Sequence, residues 1–135
     1  MEQSFEVNKM NEIKMRILIT EDEYMIALDM KWVLEKKGFS VVGICASGEE
    51  AVIKAAQSKP DLILMDIVLK GKMDGIEAAK IISTKNNIPI LFCTANCDSF
   101  TMQRLETFRH VGVINKPMED EILLKSIRNF QNTPN

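Results

Sequence analysis

The stretch Asp61-Leu62-Ile63-Leu64-Met65-Asp66-Ile67-Val68-Leu69 decides the fold. A short apolar run bounded by turn formers reads as a strand buried on both faces, and here Lys59-Pro60 leads in and Lys70-Gly71 leads out. Asp66 is the anomaly within it. An unpaired buried carboxylate costs several kcal/mol or more, so it must protonate or reach a cation, a metal or water. The carboxyl end of a strand meets that need, because in open parallel α/β sheets the loops diverge there and leave a crevice. The strand is therefore expected to end near Asp66 and to turn that side chain into a crevice.

The flanking sequence supplies the other elements of such a sheet. Residues 15–20 form a β-branched run that stops at Glu21-Asp22-Glu23. Over 24–37, Ile26, Ala27, Met30, Val33 and Leu34 recur at helical spacing, with Lys36 and Lys37 in the last turn and Gly38 as a stop. Val41-Val42-Gly43-Ile44 is a second strand, and Ser47-Gly48-Glu49-Glu50 matches a capping box opening a helix that runs to about Ser58. Asp74-Gly75 starts a third helix with Ile76, Ala79 and Ile82 on one face, ended by Asn86-Asn87. Residues 88–94 read as a strand, with Pro89 tolerated near its start. Residues 96–109 are the least regular and predict a short helix with Phe100, Leu105 and Phe108 inward. Residues 111–115 make a fifth strand closed by Lys116-Pro117, and Ile122, Leu123, Ser126, Ile127 and Phe130 mark a fifth helix. Five strands alternating with five helices predict a parallel sheet with helices on both faces and right-handed crossovers.

With 135 residues, one domain is expected: a polar arm over 1–14, a domain over 15–131 and a tail over 132–135. A net charge of -2 gives no support for direct nucleic-acid binding. Neither a membrane span nor a signal peptide is read, so a cytoplasmic protein is expected. Cys45, Cys93 and Cys97, with His110 as the one histidine, form no zinc-ligand pattern. Reduced and mostly buried thiols are expected, the sharper alternative being a redox-sensitive Cys97 in a loop. His110 reads as structural. No effector segment is expected after the fifth helix, so the chain reads as a stand-alone module or as a piece of a longer protein.

In this arrangement Glu21 and Asp22 follow strand one, Asp66 ends strand three, Thr94 ends strand four and Lys116 ends strand five. One sheet edge thus gathers three carboxylates, a hydroxyl and an ammonium. Singly, Asp22 reads equally well as a helix cap, Thr94 as a strand-end hydroxyl and Lys116 as a solvated charge. Together, around a costly Asp66, they make a phosphoryl-transfer inventory. Oxygen ligands suit a hard cation, Mg2+ with Mn2+ as a substitute. Beside it Asp66 can act as a carboxylate nucleophile on phosphorus.

These residues resemble the receiver domain of two-component response regulators, over about 15–130. The match rests on Glu21-Asp22, on Asp66 before a loop ending in Asp74-Gly75, on Thr94-Ala95 and on Lys116-Pro117, in that order. The resemblance implies a flavodoxin-like doubly wound five-stranded parallel sheet of order 2-1-3-4-5. It implies Asp66 as phosphoacceptor, with Glu21, Asp22, Asp66 and the Val68 main-chain carbonyl around the metal. Thr94 is then the switch hydroxyl and Lys116 the phosphate-pairing cation. A histidine kinase or histidine phosphotransfer protein is the implied donor, and an effector the implied partner on the face of helix four, strand five and helix five. Phosphorylation-dependent homodimers belong to the same picture. No enzyme activity is expected beyond the module's own phosphorylation and dephosphorylation.

Two departures bear on what carries over. Val113 stands where receivers usually have an aromatic ring, and the loop holding Lys70-Gly71-Lys72 is one residue longer than the commonest form. Two other readings follow. A degenerate receiver serving only as a binding platform is suggested by Val113 and opposed by the intact acids, threonine and lysine. A metal-dependent phosphohydrolase would want a second carboxylate two residues after Asp66, where Val68 stands.

Overall fold

The computed structural model describes residues 14–95 and 98–132. The expected arm over 1–14 therefore lies, but for Lys14, outside the described residues, as do Cys97 and the tail beyond Asn132. The elements in order are β1 (Arg16–Thr20), α1 (Tyr24–Lys36), β2 (Ser40–Cys45), α2 (Gly48–Ser58), β3 (Leu62–Met65), α3 (Gly75–Lys85), β4 (Ile90–Thr94), α4 (Ser99–Leu105), β5 (Gly112–Asn115) and α5 (Asp120–Asn132). The sheet is parallel throughout, in the order β2-β1-β3-β4-β5. This is the flavodoxin-like arrangement that the resemblance implies.

Strand alternation divides the core into two layers, because successive side chains leave a strand on opposite faces. Ile17, Ile19, Leu62, Leu64, Leu91 and Cys93 pack with Met30 and Leu34 of α1 and Leu123 and Ile127 of α5. Leu18, Ile63, Met65, Ile90 and Phe92 pack on the other face with Ala51 and Ala55 of α2, Ile76, Ala79 and Ile82 of α3 and Leu105 of α4. The central strands are thus apolar on both faces, and each fully buried Leu or Ile contributes about 1.5 to 3 kcal/mol. Burial also pushes the Cys45 thiol up to about 11 and that of Cys93 to about 12, which keeps both in the unreactive thiol form.

Several expected details are corrected. α4 has seven residues, and its inward positions are Thr101 and Leu105, one helical turn apart; Phe100, turned by about 100°, is 68% exposed. The same one-residue rotation leaves Ile26 on α1 and Ile122 on α5 exposed, while Leu124 points in. Only half of the capping box foreseen at Ser47 forms: its hydroxyl accepts from the Glu50 N–H at 3.1 Å, but the Glu50 carboxylate accepts from Ala46. A complete box stands at α3, where Asp74 accepts from the Glu77 N–H at 2.9 Å and Glu77 accepts from the Asp74 N–H at 3.3 Å. Asn132, placed in the tail from sequence, is the last residue of α5. No helix of the described residues is long and apolar enough to cross a membrane.

Candidate functional site

Glu21, Asp66 and Lys116 each stand one position beyond a strand, and their amides extend the parallel ladder by one rung. Glu21 N–H donates to the Cys45 carbonyl at 2.8 Å, Asp66 N–H to that of Thr20 at 3.0 Å and Lys116 N–H to that of Thr94 at 2.9 Å. The backbone is thereby held to the sheet at the point where the side chains turn away from the core. Thr94, the last residue of β4, is 1% exposed. Val68 lies two residues beyond Asp66 with its side chain in solvent.

Lys116 Nζ donates to Asp66 Oδ2 at 2.8 Å and to Glu21 Oε1. The remaining oxygens take backbone amides: Ile67 N–H donates to Asp66 Oδ1 at 2.7 Å and Glu23 N–H to Glu21 Oε2 at 3.1 Å. Both carboxylates are buried, so each needs these partners. Burial still outweighs them for Glu21 and holds its carboxyl above the usual carboxylate range. Burial would lower Lys116, but its bonds to Asp66 and Glu21 prevail and raise it. From sequence, Lys116 was read as the partner of phosphate oxygens; in the structure it pairs with the two acids.

One ligand oxygen from each of Glu21, Asp22 and Asp66 can be chosen so that all lie within 4.8 Å of one another. The donor set is all oxygen and anionic, so these residues fit a hard divalent cation. Two clefts lie elsewhere: one of about 580 Å3 between α1 and α5 around Trp32 and Leu124, and one of about 880 Å3 beside β5 around His110 and Phe130. Neither is lined by the acids, and we place the chemistry with the carboxylates because charge and hydrogen bonding converge there. His110 stands apart from them, edge-on to Phe92 at 5.6 Å and to Phe108 at 6.0 Å. Val113 is opposite Phe92 in the β4–β5 register, half-buried beside this aromatic group.

Sequence reasoning missed the link between this edge and α4. Arg104 Nη1 meets Asp74 Oδ2 at 2.7 Å, tying α4 to the capping residue of α3. Burial would raise Asp74, but the Arg104 bond and the Glu77 amide hold it below the usual range. Its contribution is therefore complete above the ordinary carboxylate value of 3.8 and is lost as pH falls through the lower folded value. Both side chains are about a quarter exposed, so Arg104→Ala is expected to cost about 0.5 to 1 kcal/mol at neutral pH. Urea unfolding at two pH values checks this: the gap to wild type should close once Asp74 is protonated, and an equal gap at both values refutes the pairing.

The family whose sequence pattern is described as the response regulator receiver domain matches residues 17–128. The transcriptional regulatory protein PdtaR of Mycobacterium tuberculosis is 35% identical over 112 residues, covering 83% of this chain and 54% of that protein. The chain thus spans about half the length of such relatives. Among solved structures, the receiver domain of a modulated diguanylate cyclase from Desulfovibrio desulfuricans G20 is 36% identical, with a TM-score of 0.81 over 87% of this chain and 93% of that one. A chain of the CheX–CheY–BeF3–Mg2+ complex from Borrelia burgdorferi also has a TM-score of 0.81, at 23% identity over 90% of this chain and 92% of that one, a likeness of fold alone.

Proposed function

The chain belongs to the response regulator receiver domain family, and from that premise we propose that it takes a phosphoryl group from a phosphohistidine onto Asp66. The observation that carries this reading is the placing of Asp66 at the end of β3, bonded to Lys116 and grouped with Glu21 and Asp22. An Asp66 oxygen attacks phosphorus; the O–P bond forms, the P–N bond breaks, and the leaving imidazole keeps the electron pair and takes a proton from solvent. Glu21, Asp22, Asp66 and the Val68 main-chain carbonyl would hold Mg2+, or Mn2+ in its place. The ion would supply the positive charge that lets an anionic phosphoryl group approach three carboxylates. Lys116, already on Asp66, turns to an oxygen of the transferred group, and Thr94 reads that group from the end of β4.

The donor is a histidine kinase or histidine phosphotransfer protein, and the receiver occupies 15–131 together with Asn132. The response passes through Thr94 to α4, whose core anchors are Thr101 and Leu105 and whose tie to α3 is Arg104. Exposed Phe100 and Met102 on α4 and Ile122 on α5 offer apolar contacts to an effector on the face of α4, β5 and α5. Incubation with acetyl phosphate and Mg2+ should add one phosphoryl group, read by intact mass. Chelation of the metal should stop the labelling, and a rate unchanged by chelation would sink the metal assignment.

A further inference from the structure

An acid from a different element holds the loop after Asp66 in place. Lys72 N–H donates to Glu49 Oε2 at 3.3 Å, joining the loop to the first turn of α2 across 23 residues of sequence. Gly71 has φ +91°, and a Cβ there would lie 2.9 Å from both oxygens of the Glu49 carboxylate. The positive φ favours glycine at this position. Beside it Ser47 and Lys70 form an isolated parallel bridge. At Gly48 a Cβ would come 3.1 Å from the Met73 carbonyl oxygen and 3.2 Å from that of Asp74, so α2 and the loop touch at backbone distance.

An acid in the first turn of a helix is ordinarily explained by the helix dipole. Glu50 fits that account, since it folds back to the Ala46 N–H. Glu49 does not turn back; it reaches Lys72. The other end of the loop is tied down separately, by Gly75 N–H donating to the Ile67 carbonyl at 2.7 Å. Between the Ile67 tie and the Lys72 tie lies Val68, two residues from Asp66.

We propose that Glu49 is a positioning residue for phosphoryl acceptance: by holding the Lys70-Gly71-Lys72 stretch it sets where the Val68 carbonyl stands relative to Asp66. This rests on the receiver reading above and adds to it a residue outside the acidic edge. Groups that orient metal ligands typically change metal affinity by about 10- to 100-fold when removed. Because Glu49 is exposed and acts through one long hydrogen bond, the lower end applies.

The test uses the whole chain with Mg2+ alone and then with acetyl phosphate. Glu49→Ala should raise the Mg2+ concentration for half-maximal binding by about tenfold in a direct titration. It should also speed amide exchange over 67–74 in metal-free protein, while the labelling rate at saturating Mg2+ returns close to wild type. Glu49→Gln, which keeps an acceptor oxygen, should restore the loop protection and most of the Mg2+ affinity. Unchanged loop exchange or unchanged Mg2+ affinity in Glu49→Ala overturns the proposal, as does Glu49→Gln behaving like Glu49→Ala. Failure of the wild type to bind Mg2+ or accept phosphoryl would instead overturn the receiver reading, and the loop exchange would still report on Glu49.

Discussion

Asp66→Asn abolishes labelling by acetyl phosphate, with a loss of at least ~10³-fold in rate, the order expected when a nucleophile is removed. The amide is the right shape and the wrong chemistry. Its carbonyl oxygen can still accept from the Ile67 N–H that now bonds Asp66 Oδ1, so the loop keeps its local partner. Its nitrogen, however, has no lone pair free to attack phosphorus, and it presents a donor toward Lys116 where the carboxylate presented an acceptor. Lys116 retains Glu21, which argues for a folded variant. Intact mass after incubation with donor and Mg2+ provides the measurement, with circular dichroism as the control for folding. Labelling of Asp66→Asn at the wild-type rate would move the acceptor to another residue.

Lys116→Met removes the cation that both buried acids share, and its first effect should be on stability. Breaking a buried ion pair from one side leaves the other charge without compensation, at about 3 to 5 kcal/mol when burial is complete. The lysine side chain is 16% exposed, so about 2 kcal/mol is expected at pH 7, a fall in Tm on the order of 8 °C. The folded pKa of Lys116 lies above its ordinary 10.5, so on the alkaline side its contribution holds up to that value and is lost as pH rises through the folded one. On the acid side the variant should move toward wild type, because protonation of Glu21, whose pKa is already raised by burial, removes one of the two uncompensated charges. Added Mg2+ should recover part of the lost Tm, since a ligand of the native state stabilises by mass action. A Tm within about 1 °C of wild type at pH 7, where 2 kcal/mol predicts several degrees, would show that water already compensates these acids.

The acidic edge was legible because its residues follow strands whose identity is a local property. Apolar runs such as 62–65 and 90–94 announce themselves, and right-handed parallel connection then brings their ends together without any contact being known. Helix orientation was less legible at the flanks of a stripe. Phe100, Ile26 and Ile122 each adjoin a buried position, and periodicity alone cannot say which of two neighbouring residues turns inward. Two side-chain contacts had no local signature at all. Arg104 meets Asp74 and Glu49 meets Lys72 across long separations, and each acid already had a sufficient local explanation in the first turn or cap of a helix. The pairing of Lys116 with Glu21 and Asp66 went unread beside the phosphoryl role that resemblance assigns it, although two buried acids require a cation between them.

Gly75 separates two kinds of constraint that a survey of tolerated substitutions would confuse. A Cβ at this position would overlap the Asp66 carbonyl oxygen and lie 2.8 Å from its carbonyl carbon and 3.0 Å from Ile67 Cα, all of them backbone that cannot step aside. Gly112, by contrast, would meet only a Leu91 methyl at an ordinary 3.7 Å. Selection for folding alone therefore removes every variant at Gly75, even in a descendant that has given up phosphoryl transfer, while Gly112 is free to drift. Asp66 itself is under no such steric constraint, since asparagine fits the same space. In a lineage that abandons signalling, Asp66 is free to erode while Gly75 persists, and the pair together dates the loss of chemistry against the retention of shape.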